Sequence, residues 1–154
     1  MASNESTETV YYSSLYRHGV DEKRRLQIPS KWRSSDPNIV FTLITWPKGT
    51  VQDACLLVLP PIEFNALVQK MKSMPYSDST AEALRRIIGT RSDRMPLDKS
   101  GRIMISEKMA KAVGIEKEAV LVGMLDRFEI WNPEKYDLAS AMDAQMAPEA
   151  FKMI

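Results

Sequence analysis

Asp21-Glu-Lys-Arg-Arg25-Leu-Gln-Ile28-Pro-Ser30 returns 77 positions later as Asp98-Lys-Ser-Gly-Arg102-Ile-Met-Ile105-Ser106-Glu. Each copy reads acidic residue, three-residue turn, arginine, then an alternating apolar strand that runs into a helix start. Duplication of one supersecondary unit implies that neither copy buries much surface alone. A second match extends the repeat: Leu56 to Phe64 corresponds to Phe128 to Tyr136 at an offset of 72, the difference falling on a longer first hairpin. Each copy is therefore expected as strand, turn, strand, short helix, two-stranded hairpin and longer helix.

Local signals fill in the elements. Tyr11–Tyr16 and Leu26–Ile28 read as short strands, followed by a short helix over 31–33. Ile39–Thr45 is a β-branched strand. Trp46-Pro-Lys-Gly-Thr50 reads as the hairpin connection, with Cys55–Leu59 as the return strand. Pro61 opens a helix, since proline suits the first turn. Ser79 or Thr80 is expected to cap a helix over 81–89. In the second copy Met95–Leu97 leads to the turn and Ile103–Ile105 is the strand. The next helix starts at Ser106 and ends at Gly114. Ala119–Leu125 and Phe128–Trp131 are strands, the latter alternating. Asn132-Pro133-Glu134 caps a final helix that is expected to stop near Met146, before Pro148.

The expected organisation is a disordered leader over 1–11, a first repeat over 12–74, a linking helical segment over 75–93, a second repeat over 94–147 and a tail over 148–154. Two units from one chain remove exposed strand edges by pairing them with each other. The expected fold class is therefore α+β with a mainly β core: a small barrel built from two internal repeats, with flanking helices and Trp46 and Trp131 in its core.

The 154 residues are 44% apolar and carry a net charge of only +1. That average hides two basic islands: residues 17–33 and 85–102 each hold six basic and two acidic residues, and each contains one copy of the repeated turn. No apolar stretch approaches the roughly 18 residues that span a bilayer. One cysteine, Cys55, forms no internal disulfide and suits core packing in a reducing compartment. The single histidine, His18, lacks partners for a metal site. Ser13, Ser14 and Ser30 have no base arranged to activate them, and Gly114 and Gly123 form no phosphate-cradling motif. Neither a cofactor, a metal, a small-molecule substrate nor an enzymatic activity is expected.

The turns carry the remaining chemistry. Arginine's planar fork makes bidentate bonds to phosphate or to guanine O6 and N7. Arg25 and Arg102 are the candidate DNA contacts, with Lys23, Arg24 and Lys99 beside them; the alternative is that each Asp–Arg pair only staples its turn. Asp21 and Asp98 are too short and too negative to face phosphate. They are expected to accept backbone N–H bonds or orient the arginines. Gly101 is expected to organise the second turn through positive φ, and Arg24 stands where the first would have it.

Tyr16-Arg-His-Gly-Val-Asp-Glu-Lys-Arg-Arg-Leu-Gln-Ile-Pro-Ser-Lys-Trp-Arg33, Leu84-Arg-Arg-Ile-Ile-Gly-Thr90, Asp98-Lys-Ser-Gly-Arg-Ile103 and Val120-Leu-Val-Gly-Met-Leu-Asp-Arg-Phe-Glu-Ile-Trp-Asn-Pro133 together resemble the MraZ family over about residues 12–140. The resemblance implies a double-split, swapped-hairpin barrel like that of AbrB and MazE, both halves supplied by one chain, and ring-shaped homo-oligomers. It implies a cytoplasmic, nucleoid-associated transcriptional regulator of the bacterial division and cell-wall gene cluster. Such a regulator binds double-stranded DNA at repeated boxes upstream of its own operon, through the Asp-x-x-x-Arg turns. The alternative is an antitoxin-like protein-interaction module on the same barrel.

Overall fold

A computed structural model describes residues 9–154. Eight strands and four α-helices follow in the order β1 (Leu15–Gly19), β2 (Arg25–Gln27), β3 (Val40–Lys48), β4 (Val51–Leu59), α1 (Pro61–Lys72), α2 (Ser79–Thr90), β5 (Ser92–Pro96), β6 (Arg102–Met104), α3 (Glu107–Val113), β7 (Glu118–Gly123), β8 (Phe128–Trp131) and α4 (Pro133–Phe151). A 3-10 turn over Ser30–Trp32 occupies in the first copy the place that α3 takes in the second.

The strands form one six-stranded antiparallel sheet, β1-β7-β8-β4-β3-β5, and a separate ribbon, β2-β6. Exchanging the two repeat copies maps this order onto its own reverse. The copies are interleaved: β1 of the first pairs with β7 of the second, and β5 of the second with β3 of the first. Each hairpin therefore covers an edge that the other copy would leave open. The expected barrel is not closed by hydrogen bonds. β2 and β6 are only three residues long, and they pair with each other across the repeat axis rather than extending the large sheet. Side chains complete the enclosure. Leu26, Ile28, Ile103 and Ile105 from the ribbon segments join Phe41, Leu43, Leu56, Val58, Leu121, Phe128 and Ile130 in one cluster of fully buried residues.

The centre of that core is aromatic. The Trp32 ring lies 5.8 Å from Tyr12, 5.3 Å from Tyr16 and 4.9 Å from Phe128, mostly edge to face. Its indole N–H donates to the Ser13 carbonyl at 2.9 Å, so the buried polar atom is satisfied. Trp46 and Trp131, expected inside the barrel, sit instead on the opposite face of the sheet, because strand alternation turns them away. There α1 and α2 cover Ile44, Leu57 and Leu59 through Phe64, Leu67, Met71 and Ile88, while α4 covers Cys55, Val120 and Trp131 through Tyr136 and Ala139. Burial pushes the Cys55 thiol up to about 12, which leaves it an inert packing group.

Several boundaries differ from the sequence reading, each for a local reason. The first strand begins at Leu15, not Tyr11, because Ser14 adopts φ 87° and breaks the extended chain before it. Upstream, Tyr12 makes only an isolated bridge to Leu125. Most of the expected leader lies outside the described residues, and Val10 at its end packs against the core. The β3–β4 hairpin is longer than expected. Both strands continue to a turn at Gly49-Thr50, and a bulge between Trp46 and Lys48 absorbs Pro47, which has no N–H to give the ladder. β5 is a strand from Ser92, where a simple lead-in was expected.

Asp78, not Ser79 or Thr80, caps α2, its carboxylate accepting from the N–H groups of Thr80 and Ala81. The Ser106 and Asn132 caps stand as expected, accepting from Met109 and Lys135, and Gly114 ends α3 at φ 77°. β8 does not alternate. Glu129 is buried with its neighbours because α4 covers that face. The Trp131 indole donates to its Oε1 at 2.8 Å and Lys48 Nζ lies 2.8 Å from its Oε2. The last helix passes through Pro148 to Phe151. Proline there costs one backbone hydrogen bond, and the carbonyl it leaves unpaired is that of Ala144, an exposed residue.

Candidate nucleic-acid interface

The two repeated turns have the same internal wiring. In the first, Asp21 Oδ1 accepts from the N–H of Lys23 at 2.9 Å and of Arg25 at 2.8 Å. Its other oxygen accepts from Arg25 Nε at 2.7 Å. In the second, Asp98 Oδ1 accepts from the N–H of Ser100 and of Arg102, both at 2.9 Å, and Oδ2 from Arg102 Nε at 2.9 Å. A one-residue spacing change would break this set. The carboxylate reaches backbone two and four residues on only when three residues separate Asp from Arg. Each aspartate thus fixes the turn and aims the arginine. The amide of Arg25 holds the Asp21 carboxyl below its ordinary value, and that of Arg102 does the same for Asp98. Both are ionised at neutral pH.

The fourth position needs a left-handed backbone in both turns, with φ 60° at Arg24 and φ 79° at Gly101. The turns therefore share one shape despite the different residue. Both turns anchor to the other half through this residue's carbonyl, Arg24 accepting from the Ile105 N–H at 2.9 Å and Gly101 from the Ile28 N–H at 3.0 Å. Arg24 meets the cost of positive φ with one bond more, its Nε donating to the Ile105 carbonyl at 3.0 Å. Gly101 has a second reason to be glycine. The side chain of Arg33, from the first copy, lies where a Cβ would be built, with its Cδ and Cζ at 2.8 Å. Gln27 clamps the same turn by donating from Nε2 to the Ser100 carbonyl at 2.9 Å. Arg33 and Gln27 lie outside the expected residue set. Neither is visible until the halves interleave, since each acts on the other copy's turn.

Pairing of β2 with β6 brings the turns together. Arg102 Nη1 lies 3.8 Å from Asp21 Oδ2, the oxygen that also holds Arg25. Two guanidinium groups, one from each repeat copy and 77 residues apart, thus converge on one carboxylate. The Arg25 and Arg102 side chains keep 30% and 32% of their surface open to solvent, so a polyanion can reach them. Lys23, Lys99 and Arg33 are exposed around them, and Arg24 is partly buried. At such exposure an ion pair contributes only about 0–1 kcal/mol to stability. The turns are held mainly by backbone bonds to aspartate, which leaves the outer guanidinium nitrogens available. Among the described residues no helix is long and apolar enough to cross a membrane.

Comparison with known proteins gives one consistent result. A family described as "MraZ protein, putative antitoxin-like" matches residues 90–151. A Clostridium tetani protein named transcriptional regulator MraZ is 35% identical over 123 residues, which is 79% of this chain and 82% of its own length. A Clostridium acetobutylicum protein of the same name is 33% identical over 139 residues, covering 90% of this chain and 93% of its own. One from Marinobacter nauticus is 32% identical over 133 residues, 84% of this chain and 89% of that protein.

Proposed function

The chain belongs to the MraZ family, and from that premise we propose that it is a transcriptional regulator, not an enzyme, which binds double-stranded DNA through the paired Asp-x-x-x-Arg turns. The DNA is the repeated boxes upstream of its own operon in the division and cell-wall gene cluster, which places the protein in the cytoplasm, on the nucleoid. Arg25 and Arg102 make the principal contacts. Lys23, Arg24 and Lys99 contact phosphate, which positions the protein without specifying sequence. Asp21, Asp98 and Gly101 set the shape of the turns.

The observation that carries this reading is the convergence of two identically wired arginine turns on one solvent-facing ribbon. The names of the relatives support the regulatory role. A homo-oligomeric ring would multiply the turns and raise their effective concentration on repeated boxes. α4 offers a surface for such assembly: Leu138, Met142 and Met146 lie four residues apart along the helix and are all exposed.

Fluorescence anisotropy with a labelled duplex of the upstream region, titrated at several salt concentrations, tests the proposal. Each neutralised phosphate releases counterions, so six contacts across an assembly predict a loss of about 10³-fold between about 50 and 200 mM salt. No retention of duplex at low salt would reject the reading. Capture of a defined protein partner by a chain indifferent to DNA would favour an antitoxin-like module instead.

A further inference from the structure

Resting on the DNA-binding reading above, we propose that Met104 and Gln27, the two uncharged side chains on the outer face of the β2–β6 ribbon, read base pairs in the major groove. They do so between the guanidinium groups of Arg25 and Arg102, so the two ends of the ribbon prefer different bases.

The ladder defines the surface. Leu26 stands opposite Ile103, and both are fully buried. Strand residues alternate between faces, so their neighbours Arg25, Gln27, Arg102 and Met104 share the outer side. The register sets Arg25 opposite Met104 and Gln27 opposite Arg102. Directly opposed Cβ atoms in such a pair are about 4.5–5.5 Å apart. The four side chains therefore form one compact patch, and a two-stranded ribbon is an element that the major groove admits.

The repeat makes the two neutral residues informative. At the 77-residue offset Arg25 corresponds to Arg102 and Gln27 to Met104. The patch would be two-fold symmetric but for that one pair. Met104 is 47% exposed and belongs to none of the core clusters, so packing gives no reason for an apolar side chain among cations. A flexible apolar group at that place suits the C5 methyl of thymine. Gln27 spends its Nε2 on the Ser100 and Gly101 carbonyls. That leaves Oε1 as an acceptor, which suits the exocyclic amine of adenine or cytosine.

Selection from a randomised duplex library, with the full chain as wild type, Met104→Gln and Met104→Leu, tests this. Met104→Gln makes the patch symmetric without changing its charge. It is expected to change base discrimination about tenfold at one or two adjacent positions and leave the others alone. Met104→Leu should retain the wild-type preference. Both variants should keep the wild-type salt slope on random duplex, because no phosphate contact is altered. An unchanged selected sequence for Met104→Gln, with discrimination intact at every position, overturns the proposal. Failure of the wild type to retain any duplex overturns the DNA-binding reading itself, and this inference with it.

Discussion

Replacing both turn arginines, Arg25→Ala with Arg102→Ala, is expected to lower affinity for the upstream duplex by about a hundredfold, while the melting temperature and the number of subunits per assembly stay at wild-type values. The first expectation follows from what each guanidinium does: a bidentate contact to a base edge contributes about 1–3 kcal/mol. The two losses need not add, because both groups share the Asp21 carboxylate. The second follows from how the turns are held. Truncation leaves the bonds from the N–H groups of Lys23 and Arg25 to Asp21, and of Ser100 and Arg102 to Asp98, in place. A duplex titration beside a thermal melt separates the two effects. Wild-type affinity in the double variant would remove the arginines from the interface. A collapse of the melting temperature would make them structural.

Trp32→Ala is expected to have the largest effect on the fold. The side chain is fully buried, packs against three other aromatic rings and donates a hydrogen bond to the Ser13 carbonyl. Its removal leaves a cavity and an orphaned acceptor, a loss of about 3–5 kcal/mol. Whole-domain stabilities are about 5–15 kcal/mol, so much of the margin goes. Trp32 bridges the lead-in to β1, which belongs to the first copy, and Phe128, which belongs to the second. Denaturant unfolding should therefore show one transition moved to lower midpoint, not the loss of one half. A shift under 1 kcal/mol would mean that the two copies do not depend on this contact.

Much of the architecture was legible because it is written twice. The offset of 77 located both turns, the strands after them and the matching helix starts, and the Asn132-Pro133-Glu134 cap sits where the pattern puts it. What failed was read from single residues without their tertiary neighbours. Pro47 looked like the end of a strand, but a bulge lets β3 pass it. Pro148 looked like the end of a helix, but the chain stays helical for three residues past it, to Phe151. Glu129 looked like the solvent side of an alternating strand until α4 covered it and Lys48 and Trp131 paired with it.

The site divides the same way. The Asp-to-Arg spacing disclosed how each turn is organised, because those bonds are local. Arg33 over Gly101, Gln27 on the Ser100 carbonyl and Arg24 on Ile105 all cross between copies, so strand register had to come first. The departure at Arg24 illustrates this. Arginine adopts positive φ only at a cost that glycine does not meet. In the fold it takes the same left-handed conformation as Gly101, and the bond from its Nε to the Ile105 carbonyl offsets the cost.

The central claim is that the two turns form one DNA-binding face, and lysine footprinting reads it most directly. Brief reductive methylation with and without the upstream duplex, followed by peptide mass spectrometry, reports protection at every lysine. The account predicts strong protection of Lys23 and Lys99 together, with Lys70 and Lys72 of α1 and Lys152 beyond α4 modified as in the free protein. Protection of Lys70, Lys72 and Lys152, with Lys23 and Lys99 left fully reactive, would contradict it.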